Sequence, residues 1–312
     1  MVKPKKLEKG DTIGIVSLAS PPFGISDIMF AKKQLENMGF NVILSEYISE
    51  QYKYLAGEDD KRLQEFYRFL EDKSIKAIMS TRGGYGTGRF LRKLDFEKIK
   101  DNPKIIIGYS DITSLLLAIY KKTGLVTFYG PMFTSEFASS DISYTKDKFI
   151  DTLVNLKYPI EISGCNSDKV YIFRDGYAEG ELVGGCLSLI VSTLGTPYEI
   201  DTDGKILFFE DVGEAPYRID AMLTHLINAG KFDKLAGLVI GEMIDCTPNR
   251  GFPMGSFHWE EVILDRIKDF SFPVISGICF GHGKQKATIP IGTKARIDTE
   301  LKKLILLEVP VL

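Results

Sequence analysis

Residues 104–120 read KIIIGYSDITSLLLAIY, and the fold turns on how that stretch is parsed. The apolar run 105–107 predicts a short buried strand, Gly108-Tyr109-Ser110-Asp111 a sharp turn, and 113–120 a buried helix. Strand, turn and helix in that order mark an α/β protein. In such a turn Ser110 can hold its hydroxyl clear of the sheet for attack on a carbonyl, or it can cap the helix. The local sequence leaves both readings open.

The residues before it repeat the alternation. TIGIVSLAS, FNVILSE and IKAIMST read as strands, separated by the helical SDIMFAKKQLENMG and EDDKRLQEFYRFLEDKS, and GYGTGRFLRKLDFEKIK reads as a further helical stretch. Short strands joined through helices predict a parallel sheet, and ligands of such sheets bind at the carboxyl ends of the strands. Ser110 and the glycines of TRGGYGTG both fall at that edge.

Farther along, the pattern weakens over TSEFASSDISYTKDKF and ISGCNSDKVYIFRDG. It resumes with glycine-rich AEGELVGGCLSLIVSTLGT, the strand and acidic turn GKILFFEDVGE, the helix YRIDAMLTHLINAGKFDK, and the buried strands LAGLVIGEM and FPVISGICFGHG. ATIPIGTKARIDTELKKLILLE reads as antiparallel hairpin material. The expected organisation is an N-terminal α/β domain over 1–135, a connecting region over 136–175 and a β-rich α/β domain over 176–312.

Composition narrows the function. In 312 residues, 44% are hydrophobic and 26% charged, with a net charge of −3, so the chain lacks the basic field of a nucleic-acid binder. No apolar run approaches the roughly 18 residues of a membrane span, and the N-terminal apolar stretch is too short for a signal sequence. These features predict a cytoplasmic protein. Cys165, Cys186, Cys246 and Cys279 are scattered without a C-x-x-C pair and read as free thiols; with three histidines in the chain, a zinc site of the usual spacing is not expected. No cofactor or metal is expected.

A serine nucleophile needs a base and a group to orient it. His225 sits within a helical pattern and His258 near a helix start beside Phe257 and Trp259, which suggests packing. His282, bracketed by glycines after a buried strand, is the open candidate. Glu210 and Asp211 end the apolar strand KILFF; Glu210 can orient an imidazole, whereas Asp211 reads better as a cap for the following turn. The glycine loop at 83, 84, 86 and 88 can expose backbone N–H groups in an anion-binding nest, and the N–H of Asp111 lies at a helix start. It is neither G-x-x-x-x-G-K-[ST] nor a clean G-x-G-x-x-G, so phosphate and dinucleotide sites are disfavoured.

TRGGYG, GYSDIT, VGGCLSLI with LGT, ILFFEDVGEAPYRID, GLVIGEM and GHGKQKATIPIG resemble, in order, the motifs of the LD-carboxypeptidases. These serine peptidases remove the terminal D-alanine of murein tetrapeptide, and the family includes the microcin C self-immunity peptidases. The resemblance spans about residues 7–308. It implies an N-terminal flavodoxin-like parallel-sheet domain and a C-terminal β-rich α/β domain. It further implies a triad of Ser110 as nucleophile, Glu210 as orienting acid and His282 as base, with an oxyanion hole from the N–H groups of Gly84 and Asp111, and a homodimer. Two positions depart from the family: Cys186 where asparagine is common, and Ala221 after Asp220 where arginine is common. Ile112 also replaces the second glycine of the α/β-hydrolase elbow.

A carboxypeptidase must hold a free terminal carboxylate, which a guanidinium does with two parallel hydrogen bonds. Arg82 ranks first because it adjoins the glycine loop, with Gly83 and Tyr85 as further substrate contacts, ahead of Arg89, Arg218 and Lys284. Two rival functions are weighed. The same triad could act on peptidyl- or aminoacyl-adenylates, stacking adenine on Tyr144, Tyr171 or Phe173, since Trp259 lies outside the connecting region; or the chain could bind murein peptides without turnover. The third residue of the peptide, diaminopimelate or lysine, is not legible.

Overall fold

The computed structural model describes residues 1–165, 170–248 and 255–312, and the chain divides into two compact units. The first opens with β1 (Thr12–Val16), α1 (Ile25–Asn37), β2 (Asn41–Leu44), α2 (Asp59–Glu71) and β3 (Ile75–Ser80). A 3₁₀ turn at Thr87–Lys93 precedes α3 (Phe96–Asp101), β4 (Ile105–Gly108), α4 (Thr113–Thr123), β5 (Thr127–Tyr129) and α5 (Ser143–Ile150). The single helical stretch expected after the glycine loop is thus broken: Leu94 and Asp95 are extended, and Asp95 accepts from the Lys98 N–H at 3.0 Å to start α3 afresh.

The second unit holds β6 (Ile160–Ile162), β7 (Tyr171–Arg174), β8 (Tyr177–Cys186), α6 (Leu187–Ser192), β9 (Ile206–Val212), α7 (Pro216–Asn228), β10 (Gly237–Ile244), α8 (Trp259–Ile267) and β11 (Val274–Gly281). The chain then returns to the first unit with β12 (Ile289–Ile291), makes β13 (Lys294–Asp298) and β14 (Lys303–Leu306) in the second, and ends in the first.

In the first sheet the strands run β12-β5-β4-β3-β1-β2. The five strands β2-β1-β3-β4-β5 are all parallel, in the flavodoxin-like order, and β12 closes the edge antiparallel to β5. Burial of Ile13, Ile15, Ala77, Met79, Ile105, Ile107 and Phe128 with Ile28, Leu35 and Phe149 makes its core. The second sheet runs β6-β14-β13-β8-β9-β10-β11-β7, with β8 to β11 parallel and the outer strands antiparallel. The expected fold class holds.

The expected boundaries need correction. Residues up to Lys157, including α5, belong to the first unit, and the second begins at Tyr158, so 136–175 is not a separate connecting region. Phe137, Phe149 and Leu153 are buried in the first core, which polar neighbours in the sequence obscure. The segments 284–292 and 309–312 also return to the first unit. The hairpin read from 287–308 is β13 with β14 alone; β12 pairs with β5, where Pro290 is tolerated because the strand is an edge.

The cysteines need correction as well. Cys165 and Cys279 form a disulfide across 114 residues, and Cys186 and Cys246, both buried, stand outside any disulfide. The bridge between Gly164 and Ile278, with the Cys279 N–H donating to the Ser163 carbonyl at 3.0 Å, brings the pair together. Among the described residues no helix is long and apolar enough to cross a membrane.

Candidate active site

Ser110 stands directly beyond β4, at the carboxyl edge of the first sheet, with φ of +59°. A left-handed backbone is uncommon for a residue with a Cβ and is held only where its surroundings enforce it. Those surroundings are identifiable. The buried Asp111 carboxylate accepts from the Thr87 N–H and Oγ1 at 2.8 Å each, tying the turn to the glycine loop. Tyr109, on the other side, donates to Glu136 Oε1 at 3.0 Å, and Lys286 Nζ lies 2.9 Å from that oxygen and 4.9 Å over the Tyr109 ring. Lys286 and Glu136 are both buried, so each charge depends on the other and on its hydrogen bonds.

The loop after β3 comes up against the same serine. A Cβ on Gly83 would lie 2.8 Å from Ser110 Cβ, 2.9 Å from its Oγ and 3.5 Å from the backbone nitrogen of Asp111, so only glycine lets the loop approach this closely. Ser20, unremarked in the sequence, holds the loop: its N–H donates to the Gly83 carbonyl at 3.2 Å and its Oγ accepts from the Tyr85 N–H at 3.2 Å. Arg82 packs its guanidinium 3.9 Å from the centre of the Phe23 ring and has no carboxylate partner among the described residues. Burial pushes its pKa down from the ordinary arginine value. Tyr85 is exposed, its ring edge-on to Tyr54.

Glu210 and His282 meet in the second unit. β9 is buried along ILFFED because it lies in the middle of a parallel run, which puts Glu210 in the interior at the carboxyl end of the strand. One oxygen, Oε2, accepts both from the His282 backbone N–H at 3.0 Å and from the ring Nδ1 at 2.7 Å. Gly281, with φ of +102°, makes the approach possible, since a Cβ there would fall 2.3 Å from Glu210 Cγ. The ring of His282 is partly exposed while Glu210 is wholly buried. An Nδ1–H held by the carboxylate leaves Nε2 as the acceptor of the neutral ring.

Asp211 is a cap, but of the helix α6 that precedes it in the chain rather than of the following turn, because β8 and β9 pair side by side. It accepts from the Ser188 N–H at 2.8 Å at the start of α6 and from the Val212 N–H at 2.9 Å, and burial raises its pKa. Cys186, where the family resemblance leads one to expect asparagine, sets its thiol 3.6 Å from Asp211 Oδ1, and burial drives its pKa well up. His225 is exposed on α7, and His258 is exposed at the start of α8, where Glu261 accepts its backbone N–H at 2.7 Å. Phe257 is exposed too, so His258 is an end-of-helix residue rather than a packed one. Arg89 is paired with Asp59 at 2.9 Å and Arg218 with Glu214 at 2.5 Å, and Lys284 is exposed. The sequence reading passed over Ser20, Glu136 and Lys286, whose only signal is tertiary.

Comparison with known proteins covers both halves of the chain. Residues 13–130 match the LD-carboxypeptidase N-terminal domain and residues 179–297 the LD-carboxypeptidase C-terminal domain. The chain is 41% identical to the probable murein peptide carboxypeptidase of Bacillus subtilis (strain 168), covering 97% of this chain and 94% of the relative. It is 30% identical to the microcin C7 self-immunity protein MccF of Escherichia coli, covering 97% and 94%. The crystal structure of muramoyltetrapeptide carboxypeptidase from Oxalobacter formigenes superposes with a TM-score of 0.84 at 30% identity, over 96% of this chain and 100% of the other. Both halves of the chain are thus matched by the two domains of one family, and the chain belongs to the LD-carboxypeptidases.

Proposed function

We propose that the protein is a serine carboxypeptidase that hydrolyses the L-to-D peptide bond of murein tetrapeptide and releases the terminal D-alanine. The observation that carries the reading is the double hydrogen bond from His282 to Glu210 Oε2, which fixes the ring in the tautomer a general base requires. In this reading Ser110 Oγ attacks the scissile carbonyl while His282 Nε2 takes its proton. The same imidazolium then protonates the leaving D-alanine amine, and Glu210 stabilises the positive ring meanwhile. The N–H groups of Gly84 and Asp111 receive the oxyanion. Water, activated by His282, then releases the acyl group from Ser110.

Arg82 is the proposed partner of the substrate's terminal carboxylate. Its guanidinium is half-buried, stacked on Phe23 and unmatched by a carboxylate among the described residues. Gly83 and Tyr85 would flank the same peptide end. We further infer a cytoplasmic homodimer, in keeping with the family; light scattering of the purified protein and cell fractionation test these two points.

The deciding experiment is incubation with murein tetrapeptide followed by mass spectrometry, beside an aminoacyl sulfamoyl adenosine. Loss of one D-alanine from the tetrapeptide supports the reading. Turnover of the nucleoside alone would move the protein to adenylate-type substrates, and turnover of neither would leave a binding module.

A further inference from the structure

The second unit contains a sulfur and carboxylate cluster that the proposed hydrolysis does not use. Cys165 lies just beyond β6, Cys279 lies within β11 three residues before His282, and Glu242 lies near the end of β10. Their ligand atoms all fall within 4.8 Å of one another, and Cys165 Sγ is 3.6 Å from Glu242 Oε2. Cys165 and Glu242 line a cavity of about 260 Å³ together with Tyr171, Trp259, Glu260 and Ser276. Ser276 is fully buried and its hydroxyl has no hydrogen-bond partner, so the cavity presents a polar group awaiting one.

We propose that reducing the Cys165–Cys279 disulfide opens a site for one soft divalent cation, zinc foremost, held by the two thiolates and the Glu242 carboxylate with a fourth position facing the cavity. A dithiol supplies two electrons and two protons. The S–S bond breaks, two thiols form and the dithiol becomes a disulfide; the cation then displaces the two thiol protons. Disulfide and metal are thus alternative states of one pair of sulfurs. Thiolates favour zinc over magnesium or calcium, and three protein ligands with an open fourth place is a common zinc arrangement. Tetrahedral zinc with ordinary Zn–S and Zn–O bonds sets sulfur and oxygen about 3.5 Å apart. The Cys165–Glu242 separation already has that value.

The remaining thiols do not compete for the cation. Cys186 and Cys246 are buried, and burial raises both pKa values, that of Cys246 to about 11. Glu242 also reaches toward the end of β11: a Cβ on Gly283 would fall 1.7 Å from its Oε2, so the cluster abuts the residue that follows His282.

The test uses the full chain, reduced with a dithiol under anaerobic conditions, freed of reductant and dialysed against zinc or cobalt. Reduced protein is expected to retain about one zinc per chain, and protein oxidised with diamide about none. Cobalt should give the near-ultraviolet thiolate-to-metal absorption, and zinc should shield two thiols from alkylation. Cys165→Ser and Glu242→Gln, checked for folding by circular dichroism, should each weaken binding at least about tenfold. Should Cys165→Ser fail to fold, the Glu242→Gln protein and the cobalt spectrum decide. Equal zinc in oxidised and reduced protein, or cobalt bound without the thiolate band, overturns the proposal.

Discussion

Glu210 holds His282 at two atoms with a single oxygen: Oε2 takes the backbone N–H at 3.0 Å and Nδ1 at 2.7 Å. The carboxylate therefore fixes where the histidine's main chain sits as well as how its ring is protonated. In Glu210→Gln an amide oxygen can still accept, but the charge that steadies an imidazolium is gone. We expect kcat to fall about a thousandfold or more with KM little changed. Kinetics on protein with a native circular dichroism spectrum check this; a loss under about tenfold would remove Glu210 from the mechanism.

The three histidines should separate sharply. His282→Ala is expected to lower kcat about a thousandfold or more, whereas His258→Ala and His225→Ala should stay within about tenfold, since both are exposed on helices. The reverse ranking, measured on folded variants, would show that the base is misassigned.

Ser110→Ala should abolish turnover yet keep the fold and tetrapeptide binding, because the turn is held by the Asp111 carboxylate and the Tyr109 hydroxyl and not by the serine. Calorimetric titration with tetrapeptide, beside an activity assay, checks both halves. Activity close to wild type in uncontaminated protein would exclude a serine mechanism.

Gly83→Ala tests the turn from the other side. The new methyl would meet Ser110 Cβ at 2.8 Å, so either the loop or the serine must move. Displacing a nucleophile by about 1 Å costs on the order of a hundredfold in rate, and we expect that loss in kcat with a modest fall in melting temperature. An unaltered kcat would mean that the loop does not constrain the nucleophile.

Lys104 offers a test by pH. Its buried ammonium donates to the carbonyls of Phe69 and Asp72, and burial pushes its pKa from 10.5 down to about 8. Between those values the unfolded chain binds more protons than the folded one, so this group makes stability rise with pH across that window. Below it, both states are protonated and the contribution is flat. Urea unfolding at pH 8 and pH 10 should show wild type gaining stability relative to Lys104→Met. Parallel curves for the two proteins would contradict the assigned shift.

What the sequence disclosed was local in origin. Ser110 was legible because strand, turn and helix fall within seventeen consecutive residues, and Glu210 because an unbroken apolar run ends at it. The dyad with His282 followed from the motifs. The Lys286–Glu136 pair and the Cys165–Cys279 disulfide were not legible, because their partners are brought together only by sheet assembly across 150 and 114 residues of chain respectively. β12 was misplaced for the same reason: IPI has the apolarity of a hairpin strand, and nothing local reveals that its partner is Thr127–Tyr129.

The division of the chain has a consequence for biosynthesis. A ribosome delivers β5 long before β12, and Val311, part of the first core, emerges after every strand of the second sheet. Leu312 donates to the Pro4 carbonyl at 2.8 Å and accepts from the Lys6 N–H at 2.9 Å, closing the first unit with residues made after all of the second sheet. Until then the nascent first sheet carries an open edge at β5, the kind of edge that recruits stray strands. The unit that is translated first is thus the one completed last, and a chain halted before residue 284 lacks the strand that seals it.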